Sequence, residues 1–66
     1  MTVAKVIEIS AESPNSFEDA VQKGIDKASQ SVDGIRGAWI SEQKVRVEDG
    51  KISSYRVDMR VTFVLR

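Results

Sequence analysis

The segment from Lys51 to Arg66 constrains this chain most, because its apolar residues recur at every second position. Ser53, Tyr55, Val57, Met59, Val61, Phe63 and Leu65 fall on one side, and Ser54, Arg56, Asp58, Arg60, Thr62 and Val64 on the other. A period of two belongs to a strand with one buried face, so the odd-numbered side is expected to meet a core. Just ahead lies Asp49-Gly50, a preferred pair for a tight two-residue turn. The pattern predicts a hairpin with arms Ile35 to Glu48 and Lys51 to Arg66.

The turn also predicts a register. With Glu48 opposite Lys51, the cross-strand pairs are Gln43 with Arg56, Glu42 with Val57, Ile40 with Met59, Trp39 with Arg60, Ala38 with Val61 and Gly37 with Thr62. Directly opposed side chains share a face. Ala38 and Ile40 are therefore expected in the core beneath a helix. Trp39 falls on the other face, beside Gly37, Ser41, Gln43, Arg56, Asp58 and Arg60. A one-residue bulge would reverse these assignments beyond itself. Glu42 is expected at the margin of the core face, reaching an edge or pairing with Lys44 or Arg46.

Upstream, Thr2 to Ser10 alternates as a first strand, with Val3, Lys5, Ile7 and Ile9 on one face. "AESPNS" carries Pro14 and small polar residues and reads as a loop. Ser16 is the expected N-cap of a helix, since Glu18 and Asp19 follow where carboxylates meet the positive end of the helix dipole. The helical stripe is Phe17, Val21, Gly24, Ile25, Ala28 and Val32. Glycine in a helix interior costs about 1 kcal/mol relative to alanine, so Gly24 predicts a close approach of helix to strand. Asp33-Gly34 is the expected helix stop.

At 66 residues the chain is read as one domain, 1–66, burying roughly 60% of its unfolded surface, and small domains without staples often oligomerise. There is no cysteine and no histidine, which removes disulfides, thiolate metal sites and the usual general base. Ten Lys and Arg balance ten Asp and Glu, which argues against a nucleic-acid partner. No stretch reads as a membrane span or signal peptide, so a cytoplasmic location is expected. The serines lack a histidine partner and no enzyme is expected. The glycines form no phosphate loop. The carboxylates form no Ca²⁺-loop pattern, although symmetry could gather one from each of several subunits around an ion.

A sheet covered by one helix leaves its second face open, and here that face carries an indole, an amide and two guanidinium groups. Trp39 is expected either at a contact between identical subunits or as an aromatic platform for a flat ligand, with Arg56 and Arg60 attracting its anionic parts. Trp39, Gly37, Gln43, Arg56 and Arg60 are the candidate ligand-binding residues.

In order and spacing, "VAKVIEISAESPNSFEDAV", "KASQSVDGIRGAWISEQ", "VEDGKISSYRV" and "MRVTFVL" resemble the dodecins, a family of small β-α-β-β proteins. The resemblance implies an α+β fold, β1-α1-β2-β3, with a three-stranded antiparallel sheet wrapped on one helix. It implies assembly as a hollow homododecamer, and flavin as the ligand. It also implies a flavin-stacking tryptophan at the position of Gly37 and a flavin-binding glutamine at that of Arg56. Both are replaced, while Trp39 lies about 7 Å further along the strand on the same face. Arg56 has donors but no acceptor for a flavin imide N–H. The expected function is a non-enzymatic shell that stores or buffers a small ligand, with flavin held weakly if at all. The alternatives are an ion-binding shell, for Ca²⁺ or an anion, and a protein-binding adaptor.

Overall fold

The computed structural model describes residues 3–65. The chain runs β1 (Val3–Ser13), α1 (Phe17–Ser29), β2 (Ile35–Glu48) and β3 (Lys51–Leu65), with sheet order β1-β3-β2 and both pairings antiparallel. This is the α+β arrangement expected from the alternation. The expected strand positions Thr2 and Arg66 lie outside the described residues. β1 extends further than expected: Ala11 and Ser13 still pair with Val57 and Tyr55 on β3, so only the end of "AESPNS" is loop.

The helix begins where its cap predicts. Ser16 is extended, and its Oγ accepts the Asp19 backbone N–H at 2.9 Å. The helix ends at Ser29, before the expected stop, and Gly34 with φ +78° turns the chain into β2. A Cβ at Gly24 would overlap the Met59 Cε methyl and stand 3.1 Å from Ala11 Cβ, so the missing side chain is what allows α1 to settle on the sheet. Val57, Met59, Val61 and Ala20 form the buried centre, and Phe17 meets Tyr55 edge to face at 5.1 Å. Ala20, outside the expected stripe, is fully buried.

Because β3 is the middle strand, the helix packs on β1 and β3. β2 projects beyond it, and from Arg36 to Glu48 every residue is exposed. Ala38 and Ile40 do point to the helix side, opposite Val61 and Met59, but they are not buried, and Ile40 is 40% exposed. The expectation of a core position for them is corrected by strand order.

The turn is as predicted: Asp49 and Gly50 both have positive φ, 52° and 75°, and Glu48 opposes Lys51. The register beyond it is interrupted. Ser53 is an extra residue on β3, between the pairs Val47/Ile52 and Arg46/Ser54, and Ser41 is an extra residue on β2, between Glu42/Asp58 and Ile40/Met59. The two bulges compensate, so Trp39/Arg60, Ala38/Val61 and Gly37/Thr62 pair as expected. Between them the register is shifted by one residue. Glu42 opposes Asp58, Gln43 opposes Val57, and Lys44 opposes Arg56.

Candidate functional site on the open sheet face

The face turned away from α1 is built in rows across the sheet. Glu12, Arg56 and Lys44 form one row, Ser10, Asp58 and Glu42 the next, and Glu8, Arg60 and Trp39 the third. Each row follows from alternation on three strands whose other faces hold Ile7, Ile9, Met59 and Val57. Burying that apolar side obliges the polar one to face outward.

Trp39 is 53% exposed, and the Arg60 guanidinium carbon lies 6.0 Å from its ring centroid. That is the outer edge of cation-π range. Arg60 is held from its other side by Glu8, Nε to Oε1 at 3.5 Å. Asp58 accepts a hydrogen bond from Ser10 Oγ at 2.7 Å and has Arg56 Nε at 3.5 Å. The Ser10 hydroxyl, with the nearby charges of Arg56 and Lys44, holds the Asp58 carboxyl below the ordinary aspartate value of 3.8 against the opposing effect of desolvation. Glu8, Ser10, Ser41, Glu42, Asp58 and Arg60 line a hollow of about 440 Å³.

Four of the sequence-predicted site residues, Trp39, Gly37, Arg56 and Arg60, share this face. Gln43 does not. The bulge at Ser41 places it opposite Val57 on the helix side, where it is exposed because α1 stops short of β2. Glu42 moves the other way, off the core margin and onto the open face opposite Asp58. Among the described residues Glu42 forms no ion pair with Lys44 or Arg46. Lys44 and Arg46 join the open face, and sequence reasoning missed both. The signal was present: apolar parity on β2 changes from even at Ala38 and Ile40 to odd at Val45 and Val47, and on β3 from odd at Tyr55 to even at Ile52. A parity change inside one strand requires an inserted residue.

At Gly37 a Cβ would meet only Thr62 Oγ1, at the ordinary distance of 3.8 Å, so the position has room for a side chain but supplies no stacking surface. Arg56 Nε is shielded from solvent and has no hydrogen-bond partner among the described residues. Neither residue reproduces the flavin contacts that the resemblance attaches to these positions. No group of three carboxylates among the described residues is arranged to hold a metal ion.

One sheet, one helix over two of its strands and a long projecting hairpin with an aromatic on its open face define a small β-α-β-β class of protein. The sequence model of the Dodecin family matches residues 3–66, and the chain belongs to that family. It is 39% identical over 66 residues to the calcium dodecin of Mycobacterium tuberculosis, covering 100% of this chain and 93% of that one. A crystal structure described as calcium dodecin from the same organism, with a novel calcium-binding site, matches at TM-score 0.82 and 43% identity, covering 97% of this chain and 91% of the other. The dodecin from Streptomyces davaonensis matches at TM-score 0.92 and 29% identity, over 98% and 96% of the two chains.

Proposed function

We propose that the protein is a non-enzymatic, homo-oligomeric dodecin shell, dodecameric by family analogy, that stores or buffers a small ligand on the open sheet face. The observation that carries this reading is Trp39, half exposed, backed by Arg60 and left uncovered by the only helix among the described residues. An indole with a guanidinium over its ring still offers its exposed area to a flat ring, and Arg60 favours a ligand with anionic character. Flavin binds weakly if at all, because Gly37 and Arg56 stand where the usual stack and edge contact would be. The balanced charge and the lack of any helix among the described residues long and apolar enough to cross a membrane fit a protein whose partners are copies of itself and a small molecule. A cytoplasmic location fits the same reading.

The test is a titration of the native assembly with riboflavin, read by flavin and Trp39 fluorescence after light scattering has given the mass. A mass near the 7.3 kDa of one chain overturns the shell. Sub-micromolar flavin quenching overturns the altered site.

A second reading, cation binding, is favoured by the calcium dodecin relative. Glu8 and Asp58 each lie beside a guanidinium, so a single copy supplies Glu42 as the carboxylate of the hollow without an arginine neighbour within ion-pair range. Calcium prefers six to eight oxygen ligands, so an ion here draws ligands from more than one copy. Metal analysis of the purified assembly before and after chelation distinguishes this reading from ligand storage.

A further inference from the structure

Three inserted residues interrupt the β2/β3 ladder: Arg36 and Ser41 on β2 and Ser53 on β3. Each falls where the parity of the apolar residues changes in the sequence. Ile35, then Ala38 and Ile40, then Val45 and Val47 therefore all stay on the helix side of β2, with Ile52 beside Val47 on β3. An inserted residue exchanges the two faces beyond it, so bulges at the parity changes keep one apolar stripe on one face. Yet α1 packs on β1 and β3, and near the turn Val47 and Ile52 are each more than half exposed.

The chain is also more extended than a domain that folds alone. Its Cα radius of gyration is 13.6 Å and its longest dimension 52 Å, where a compact domain of this length has a radius of about 11 Å. It exposes 4912 Å², against about 4,200 Å² for a compact monomer of 7.3 kDa. The excess, about 700 Å², is close to the roughly 800 Å² that each partner hides in a stable interface. At the end of the molecule away from the turn, Val32, Asp33, Gly34, Phe63, Val64 and Leu65 line a hollow of about 520 Å³. Hollows on the open face are lined mainly by charged and hydroxyl residues, whereas this one is apolar except for Asp33. Lys5 lies opposite Phe63 on β1, and the turn carries Glu48, Asp49 and Lys51. Among the described residues, none of these four charges, nor Asp33, has an ion-pair partner within 4.0 Å.

We infer that the hairpin tip of one copy, led by Val47 and Ile52, docks into the hollow between Val32 and Leu65 of a second copy. The tip is an apolar projection and the hollow an apolar recess at the other end of the molecule. Lys5 and Asp33 beside the recess offer opposite charges to Glu48, Asp49 and Lys51 of the incoming turn. The outward face of α1, with Glu18, Gln22, Lys23, Asp26 and Lys27, is too polar to cover the stripe. Because the joined surfaces differ, the contact is head to tail, and a head-to-tail contact that closes makes a ring. The inference rests on the homo-oligomer proposed above and adds which surfaces join.

Cysteine crosslinking of the assembled protein tests it, since the chain has no cysteine of its own. Val47 pairs with Ile52 at one end of β3 and Leu65 ends the strand, so within one molecule the two positions stand about 40 Å apart. That is far beyond disulfide reach, and any bond joins two copies. Under mild oxidation Val47→Cys/Leu65→Cys should give a ladder of covalent oligomers on a non-reducing gel, while each single variant stays monomeric there. Linking of Val47→Cys alone means that tip meets tip and overturns the head-to-tail contact. A double variant that stays unlinked while light scattering finds the assembly intact overturns the contact and leaves the oligomer standing. A mass near that of one chain overturns both. As an independent readout, Ile52→Lys should raise the concentration at which the assembly dissociates at least tenfold, and the helix-surface change Gln22→Lys should not. Equal midpoints for the two variants overturn the contact.

Discussion

Trp39 and Arg60 are cross-strand partners on the open face of the sheet, with the guanidinium carbon 6.0 Å from the indole centroid and Glu8 holding Arg60 from the opposite strand. The indole is thus positioned by a charge chain spanning all three strands. Arg60→Ala should free the ring, altering Trp39 emission and lowering its anisotropy. Because the pair is exposed, the stability cost should be small, about 0.5–1 kcal/mol. Unchanged emission would mean that the guanidinium does not hold the ring.

The open position at Gly37 predicts a gain of function. Gly37→Trp meets only Thr62 Oγ1 at its Cβ, and combined with Arg56→Gln it restores the two side chains that the dodecin resemblance associates with flavin. The double variant should quench flavin fluorescence at least tenfold more tightly than the parent chain, measured by titration of the assembled protein. Equal affinity would locate the loss of flavin binding elsewhere.

Gly24 predicts a stability effect whose sign depends on its neighbour. Alanine gains about 1 kcal/mol of helix propensity, but its methyl overlaps Met59 Cε and crowds Ala11 Cβ, and overpacking typically costs 1–3 kcal/mol. Gly24→Ala should therefore destabilise by about 1 kcal/mol in denaturant unfolding. In a Met59→Ala background the overlap with Cε is gone and only the 3.1 Å approach to Ala11 Cβ remains, so Gly24→Ala should cost less than in the parent chain, which a double-mutant cycle reads directly.

The acid side of the stability profile should be set by two aspartates. The Ser13 hydroxyl, donating at 2.5 Å, is the largest influence holding the Asp19 carboxyl below its ordinary value of 3.8, followed by Lys23 at 3.2 Å; the Ser10 hydroxyl leads at Asp58. A folded-state pKa below the unfolded one gives stability that is present above pH 3.8 and lost as pH falls through the folded value. Unfolding followed from pH 6 downward should show this loss, about pH 4 and below, reduced in Asp19→Asn and in Asp58→Asn. The same slope in both variants would assign the loss to other groups.

Most of the fold was legible because it rests on local rules. The Asp49-Gly50 turn, the Ser16 cap, the alternation of β3 and the small residue at Gly24 each specify their neighbourhood without long-range information. Strand order was not legible, since alternation does not say which strand lies in the middle, and Ile40 is exposed for that reason alone. At the site, parity placed Trp39, Gly37, Arg56 and Arg60 together. It failed for Gln43 and Glu42, which lie between two bulges. The change of apolar parity between Ile40 and Val45 marked the first bulge, but a single unbroken register overrode it.

The account depends on the open face having been re-aimed away from the usual flavin stack while keeping Trp39 as its platform. Titration of flavin fluorescence with the assembled wild-type protein, alongside Trp39→Phe, tests this most directly. The prediction is quenching no tighter than micromolar, with whatever binding occurs lost in Trp39→Phe. Sub-micromolar quenching that survives Trp39→Phe would contradict it.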